Sequence, residues 1–238
     1  LRTADLTNNA QKTETIAEQC KKRGMGVGIV TTARVTHATP AACYAHASER
    51  NWECDMDIGY NSDGTAKKTT KDIAAQLLEW NGGLSADVVL GGGRKYFMKY
   101  TQNDPEYPFM TGLRKNRDLI DEWKKLPTKT TINPRSAYVW NKADFNNINP
   151  SSVDRLLGLF EPSHVQYEAD RTNDVGGEPS LSEMTTKAIQ VLQKNRNGFF
   201  LMVEGGRIDH AHHAGNAYRA LTDAIAFSDA VRDRKSVV

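Results

Sequence analysis

Apolar positions along the chain recur with two different periods, and the two alternate. In residues 13–23, Ile16, Ala17 and Cys20 share one helical face, and the segment ends in Lys21, Lys22 and Arg23, cations that suit a helix C-terminus. Gly24 and Gly26 interrupt that pattern, and residues 27–32 then form a nearly continuous apolar run of strand length. Pro40 is suited to open a helix over residues 41–47, because its missing donor costs nothing in a first turn. Residues 71–80 carry Ile73, Ala74, Leu77 and Leu78 on one face, and residues 86–90 read as a second buried strand. The spacing further predicts a short helix over 119–126, a strand over 136–140 and a helical turn over 154–159. An amphipathic helix over 181–194, with Met184, Ala188, Ile189 and Leu192, leads into a strand over 199–203, and a helix over 217–231 follows. Helices feeding directly into apolar strands give the α/β order.

Between these elements the chain is polar. Residues 54–70 are turn-rich, and residues 96–108 are irregular, with Pro105 and Pro108 as breakers. Gly91, Gly92 and Gly93 end the second strand without the spacing, or the following helix, of a phosphate-cradling loop, so a tight structural turn is the expectation. Residues 160–180 hold Glu161, Glu168, Asp170, Asp174 and Glu178 with almost no apolar content. No internal repeat and no convincing linker divides the chain, so a single α/β domain over 1–238 is expected.

The densest chemistry lies where the strand over 199–203 gives way to a helix. The apolar run stops at Glu204, Gly205 and Gly206 permit a tight turn, and Asp209, His210, His212 and His213 follow within five positions. Asp209 and His213 are four apart, so on a helix they share a face. An oxygen and an imidazole nitrogen there suit zinc better than calcium. Glu204, at the strand end, could reach a second, oxygen-preferring ion such as magnesium. The alternative is that Asp209 caps the helix and the histidines are surface residues. His37 and Thr39 follow the first strand as Glu204 follows its own, and could join it around one ion. Arg50 offers a planar fork that matches two phosphate oxygens, or else partners a helix C-terminus. Glu106, Glu161 and Glu178 could together bind a hard cation such as calcium, although exposed loop carboxylates need no ion.

Composition narrows the partners. With 31 Lys and Arg against 29 Asp and Glu, the net charge of +2 gives no reason to expect a nucleic-acid or anionic-membrane surface. No apolar run approaches the roughly 20 residues of a membrane-spanning helix. The first residues are polar and carry no initiator Met, which suggests an internal piece of a longer protein. Cys20, Cys43 and Cys54 fit no zinc-ribbon spacing and leave any disulfide pairing open. No Asn-x-Ser/Thr acceptor site occurs.

Taken together, these residues resemble the animal-type, metal-dependent alkaline phosphatases from about Val27 to Val231. The resemblance is carried by Val30-Thr-Thr-Ala-Arg-Val-Thr-His-Ala-Thr-Pro40, Tyr44-Ala-His46, Arg50-Asn-Trp52 and Val88-Val-Leu-Gly-Gly-Gly-Arg-Lys-Tyr96. It continues through Asp104-Pro-Glu-Tyr-Pro108, Tyr138-Val-Trp-Asn141, Gly158-Leu-Phe-Glu-Pro162, the segment 179–185 and the segment 198–213.

The resemblance implies a three-layer α/β/α sandwich with a central, mostly parallel sheet, incomplete in this chain. It implies phosphate monoester hydrolysis at alkaline pH, through a phosphoserine intermediate at a two-zinc, one-magnesium centre. Asp209 and His213 match ligands of the first zinc, Glu204 and Thr39 ligands of magnesium, and His37 the imidazole beside it. Arg50 matches the arginine that clamps the substrate phosphate, and His210 the histidine that approaches phosphate and metal. Glu106, Phe160 by its backbone carbonyl, Glu161 and Glu178 match a calcium site within about 100–180. Glu178 stands where Asp is often found. The resemblance also implies a homodimer, and a lipid-anchored, extracellular location through an anchor outside these residues.

Three departures qualify it. No Asp-Ser-Ala motif for the serine nucleophile is present, the Asp that bridges zinc and magnesium is missing, and so is the Thr-Ala-Asp-His segment that completes the zinc sites. The isolated chain is therefore expected to lack activity. A related sulfatase or phosphodiesterase, or a non-catalytic metal-binding descendant, is the alternative.

Overall fold

The computed structural model describes residues 12–60, 71–83, 85–127 and 134–233. Much of the turn-rich stretch 54–70 therefore lies outside the described residues. Helix α1 (Ile16–Lys22) starts on a reciprocal cap, in which the Thr15 hydroxyl accepts from the Glu18 N–H and Glu18 accepts from the Thr15 N–H. Strand β1 (Gly26–Arg34) follows, then α2 (Ala38–Ala41), α3 (Asp55–Ile58), α4 (Ile73–Gly83) and β2 (Val88–Gly92). The order continues with α5 (Leu119–Lys124), β3 (Ser136–Val139), α6 (Lys142–Asn147), β4 (Arg155–Leu159) and α7 (Leu181–Leu192). Strand β5 (Phe199–Glu204), α8 (Arg207–His213) and α9 (Ala217–Asp233) close the sequence of elements.

The five strands form one sheet in the order β3-β4-β2-β1-β5, and every pairing is parallel. Alternate side chains divide between two cores, as the pleat requires. Val27, Ile29, Val89, Leu157 and Leu159 pack with α1, α4 and α5 on one face. Val30, Val88, Leu90, Leu156 and Phe160 pack with α6, α7 and α9 on the other. Helices on both faces of a parallel sheet give the expected three-layer sandwich. Gly28 and Gly158 keep the layers close, since a Cβ on either would lie 2.7 Å or less from a neighbouring side chain. No helix among the described residues is long and apolar enough to cross a membrane.

Two expectations are corrected. The segment 154–159 forms strand β4 from Arg155 to Leu159, not a helical turn, because the strand runs between β2 and β3, buried along its whole length. Arg155 is accommodated there by donating to Leu126 O at 3.1 Å and Ala86 O at 3.2 Å, with its guanidinium 4.5 Å from the Trp123 ring centre. The helix near Pro40 begins at Ala38, with His37 as its N-cap, and ends at Ala41, so Pro40 sits inside its first turn. At Gly91–Gly93 the structural reading holds. Strand β2 runs through Gly92, whose Cβ would lie 2.0 Å from Ser163 O, and Gly93 turns at φ 100° into a short 3-10 helix, Arg94–Tyr96. All three cysteines are free.

One buried acid in α9 gives the protein a pH-dependent stability. Asp223 is 4% exposed, and its Oδ2 accepts the Glu168 N–H at 3.2 Å. Burial pushes its carboxyl up to about 6, against the pull of that hydrogen bond and of Arg207, while Glu168 and Asp170 push it further up. Between about pH 4 and 6 the native state keeps a proton that the unfolded chain has lost, so stability falls as pH rises through that window. Above it the charge stays buried at full cost. Asp223→Asn is expected to raise stability by about 1–3 kcal/mol at pH 8 and to change little at pH 4. Urea unfolding at the two pH values measures it, and equal effects at both would exclude titration of Asp223.

Candidate active site

In an open α/β sheet, ligands bind beyond the carboxyl ends of the strands, where the strand order reverses. Here the reversal falls at β1, since the chain places β2, β3 and β4 on one side of it and then β5 on the other. The crevice therefore opens over the ends of β1 and β5. The register puts Thr31 beside Glu204, and the Thr31 hydroxyl donates to Glu204 Oε2 at 2.6 Å. Gly206, the N-cap of α8, has helical φ and ψ of −65° and −21°, so this turn needs no left-handed residue there. Glycine is required by proximity instead, because a Cβ there would lie 2.8 Å from that of Ala33 and 3.3 Å from Glu204 Oε2.

Three imidazoles meet above this point. His37 caps α2, His210 stands on α8, and His164 comes from the loop after β4. Ring centres lie 4.1 Å apart for His164 and His210, and 5.4 Å apart for His37 with each of the others. One nitrogen of each ring falls within 4.8 Å of the other two. Each ring also lies against a guanidinium. Arg50 Nη2 is 3.1 Å from His37 Nε2, Arg207 Nη1 is 3.3 Å from His210 Nδ1, and Arg34 Nη1 is 2.5 Å from His164 Nε2. The Arg34 N–H, 3.1 Å from His164 Nδ1, is a further link between β1 and that loop.

Protonation follows from this crowding. Burial, then the nearby guanidiniums, push His164 down to about 2 and His210 to about 4, and His37 moves in the same direction. All three are neutral at neutral and alkaline pH. A cluster of neutral imidazoles can ligate a transition metal, but three flanking guanidiniums give the crevice an anion-binding character. The three arginines are not equivalent. Arg34 is spent on buried Glu53, at 2.8 Å from Nε and 2.7 Å from Nη2, and Arg207 lies 3.6 Å from the Tyr167 ring centre. Arg50 is exposed and pairs with no carboxylate among the described residues. It lies in a turn rather than at a helix end, which removes the dipole-partner alternative.

Asp209 and His213 share the exposed face of α8, with Asp209 Oδ2 3.5 Å from His213 Nε2. No side chain caps α8, so Asp209 is not its cap. Both are free to take up a zinc ion, and their oxygen and nitrogen donors fit one. Thr39 is exposed on α2, two residues beyond His37.

The acidic residues form a second, separate group. Glu106 Oε2 accepts from Arg94 Nη2 at 2.9 Å, and its Oε1 from the Gly176 N–H at 3.0 Å. Glu161 Oε1 accepts from Gln166 Nε2 at 2.8 Å. Its backbone carbonyl receives the N–H groups of Gly93 and Arg94 at 3.0 and 2.9 Å. Phe160 is fully buried just before it. Glu178 is 2% exposed, and its Oε1 accepts the Gln166 N–H at 2.7 Å. Burial, reinforced by the neighbouring acids, pushes Glu161 up to about 8 and Glu178 up to about 9. Converging buried carboxyl oxygens have the donor chemistry of a hard-cation site once ionised.

His164 is the site residue that the sequence did not disclose. It lies 130 positions from Arg34 in a segment without periodicity, and only the fold joins them.

Comparison with known proteins shows what the chain is similar to. The family model "Alkaline phosphatase" matches residues 2–237. The tissue-nonspecific alkaline phosphatase isozyme of Gallus gallus is 44% identical over 229 residues, covering 94% of this chain and 42% of its own. A membrane-bound alkaline phosphatase of Bombyx mori is 42% identical over 227 residues, covering 95% of this chain and 40% of its own. The crystal structure of Thermus thermophilus alkaline phosphatase superposes with a TM-score of 0.66 at 33% identity, over 91% of this chain and 36% of that one. The chain thus spans less than half the length of the curated relatives it matches.

Proposed function

The chain belongs to the alkaline phosphatase family, and from that membership we propose that it forms the phosphate-binding half of a phosphate monoester hydrolase. The observation that carries this reading is the crevice over β1 and β5, where the free guanidinium of Arg50 stands beside three neutral imidazoles. Arg50 binds two oxygens of the phosphoryl group and offsets their charge as it builds up in the transition state. His210 and His164 line the opposite wall and, being neutral, can donate or accept a hydrogen bond without repelling a cation. His37 holds the Arg50 fork toward the crevice at 3.1 Å.

The metal assignments rest on the donor sets. Asp209 and His213 would hold zinc, and Glu204 with Thr39 would hold magnesium, with His37 beside it. Glu106, Phe160 O, Glu161 and Glu178 would hold calcium. When bound, the zinc and magnesium ions supply Lewis acidity toward the phosphoryl and leaving oxygens. Thr31 fixes the Glu204 carboxylate through its 2.6 Å bond, so that residue enters the magnesium site already oriented. The reacting serine, and the other ligands of both zinc ions, are assigned to parts of the protein outside these 238 residues. A homodimer, and attachment to the outer membrane surface by an anchor, complete the reading. The Bombyx mori relative, named as membrane-bound, supports the latter.

Full-length protein is expected to hydrolyse p-nitrophenyl phosphate at alkaline pH, to lose that activity on chelation, and to regain it with zinc and magnesium. The 238-residue chain alone is expected to show no turnover. A full-length protein loaded with both metals but inert toward phosphate monoesters would remove the reading.

A further inference from the structure

The acidic group beyond β4 extends past the residues assigned above. The carboxylates that converge are those of Glu106, Glu161 and Asp174, with one oxygen of each within 4.8 Å of the other two. Two calcium–oxygen bonds placed end to end span about 4.6–5.2 Å. The Tyr107 hydroxyl lies 3.4 Å from Glu161 Oε1 and 3.4 Å from Asp174 Oδ1, and its single hydrogen can satisfy only one of them. Asp174 Oδ2 and Glu178 Oε2 are buried with no hydrogen-bond partner. Glu178 is 2% exposed, and its strongest like-charge neighbours are Glu161 and then Asp174, so its partnerless Oε2 adjoins the same cluster.

The charges do not balance locally. Arg94 is the guanidinium inside the cluster, and it is largely committed to Asp104, at 2.8 and 2.7 Å. Arg171 is paired with Glu168 by two bonds of 2.8 Å. Burying several ionised carboxylates against so little positive charge is strongly unfavourable, and without an ion Glu161 and Glu178 respond by holding their protons. A hard cation that takes six to eight oxygens removes the imbalance. The loop is also shaped to the cluster. Gly176 donates its N–H to Glu106, and a Cβ at Gly176 would lie 2.6 Å from that carboxylate oxygen, so a side chain there would displace the Glu106 carboxylate from its place.

We propose that Asp174 is a direct ligand of the cation held between Glu106 and Glu161, so that the ion fastens segment 170–178 to the end of the sheet. The inference rests on the calcium assignment made above and adds a carboxylate to it. Higher ligand charge tightens a calcium site. Glu178, whose Oε1 is tied to the Gln166 N–H, keeps its partnerless Oε2 for the same ion.

The test uses metal-stripped full-length protein titrated with calcium by calorimetry, and with terbium by its sensitised luminescence. Wild type is expected to bind one ion per chain at this site. Asp174→Asn is expected to bind at least tenfold more weakly with unchanged far-ultraviolet circular dichroism. Asp170→Asn, whose carboxylate faces Arg219 at 2.8 Å, is expected to match wild type. Calcium should protect segment 170–178 from limited proteolysis in wild type and fail to do so in Asp174→Asn. If Glu161→Gln abolishes binding while Asp174→Asn binds as wild type does, Asp174 is not a ligand and the calcium assignment stands. If wild type binds neither ion here, the calcium assignment fails and the inference with it.

Discussion

Replacing Arg94 with methionine is expected to destabilise the protein by about 3–5 kcal/mol, the usual cost of removing one partner from a buried ion pair. Arg94 is fully buried where β2 ends. Its fork meets Asp104 through two bonds, Nη2 also reaches Glu106 at 2.9 Å, and Nη1 donates to Leu159 O at 2.9 Å. Burial alone would push the Asp104 carboxyl up, yet it sits below its ordinary range, because the Arg94 bonds and the Glu106 and Tyr107 N–H groups outweigh the desolvation. Methionine fills much of the volume but leaves two buried carboxylates without their counter-charge, held only by backbone N–H groups, and removes the donor to Leu159 O. At this chain length such a loss lowers the unfolding midpoint by about 6–20 °C. Asp104→Leu combined with Arg94→Met should cost less than the two single changes added, since the acid left stranded by the first is removed by the second. A thermal or urea midpoint within error of wild type for Arg94→Met would show that the pair contributes no net stability.

The reach of the sequence differs from element to element, for physical reasons. Strands β1 and β5 lie side by side at the centre of the crevice and read as continuous apolar runs. Helices α1 and α7 were legible in the spacing of their apolar residues, and the structure adds reciprocal caps, Thr15 with Glu18 and Ser180 with Glu183, to their first turns. Strand β4 was hidden, since Arg155, Leu156, Leu157 and Leu159 suit a helical turn as well as a strand. What decides between them is pairing with β2 and β3, some tens of residues away. The same limit applies to the site. The pairing of Asp209 with His213 is a spacing on one helix and was legible, and the placement of Glu204 at a strand end followed from where the apolar run stops. His164 and Asp174 sit in aperiodic loops, and only the closing of those loops over the sheet brings them to His210 and Glu161. Glu53, which immobilises Arg34, was silent for the same reason.

Arg50→Ala is expected to lower kcat/KM for phosphate monoesters by about a hundredfold in the full-length enzyme, with folding unchanged. Its side chain is exposed and its bond in the described structure is to His37, so nothing in the core depends on it. Charge-assisted hydrogen bonds contribute about 1.5–3 kcal/mol each, and the two oxygens of a phosphoryl group present a matching pair of acceptors. The loss should appear in two places. Inorganic phosphate should inhibit the variant about ten- to a hundredfold more weakly, because the ground-state anion loses its clamp. A fall in kcat should accompany it, because charge on the equatorial oxygens changes as the transition state forms. Arg50→Lys should recover less than half of the lost free energy, since a single ammonium cannot reproduce a bidentate fork. Arg34 and Arg207 would not substitute, one being locked to Glu53 and the other stacked on Tyr167. An unchanged inhibition constant for phosphate in Arg50→Ala would take Arg50 out of the binding site. The anion-binding character of the crevice would then have to come from the imidazoles and the metal ions alone.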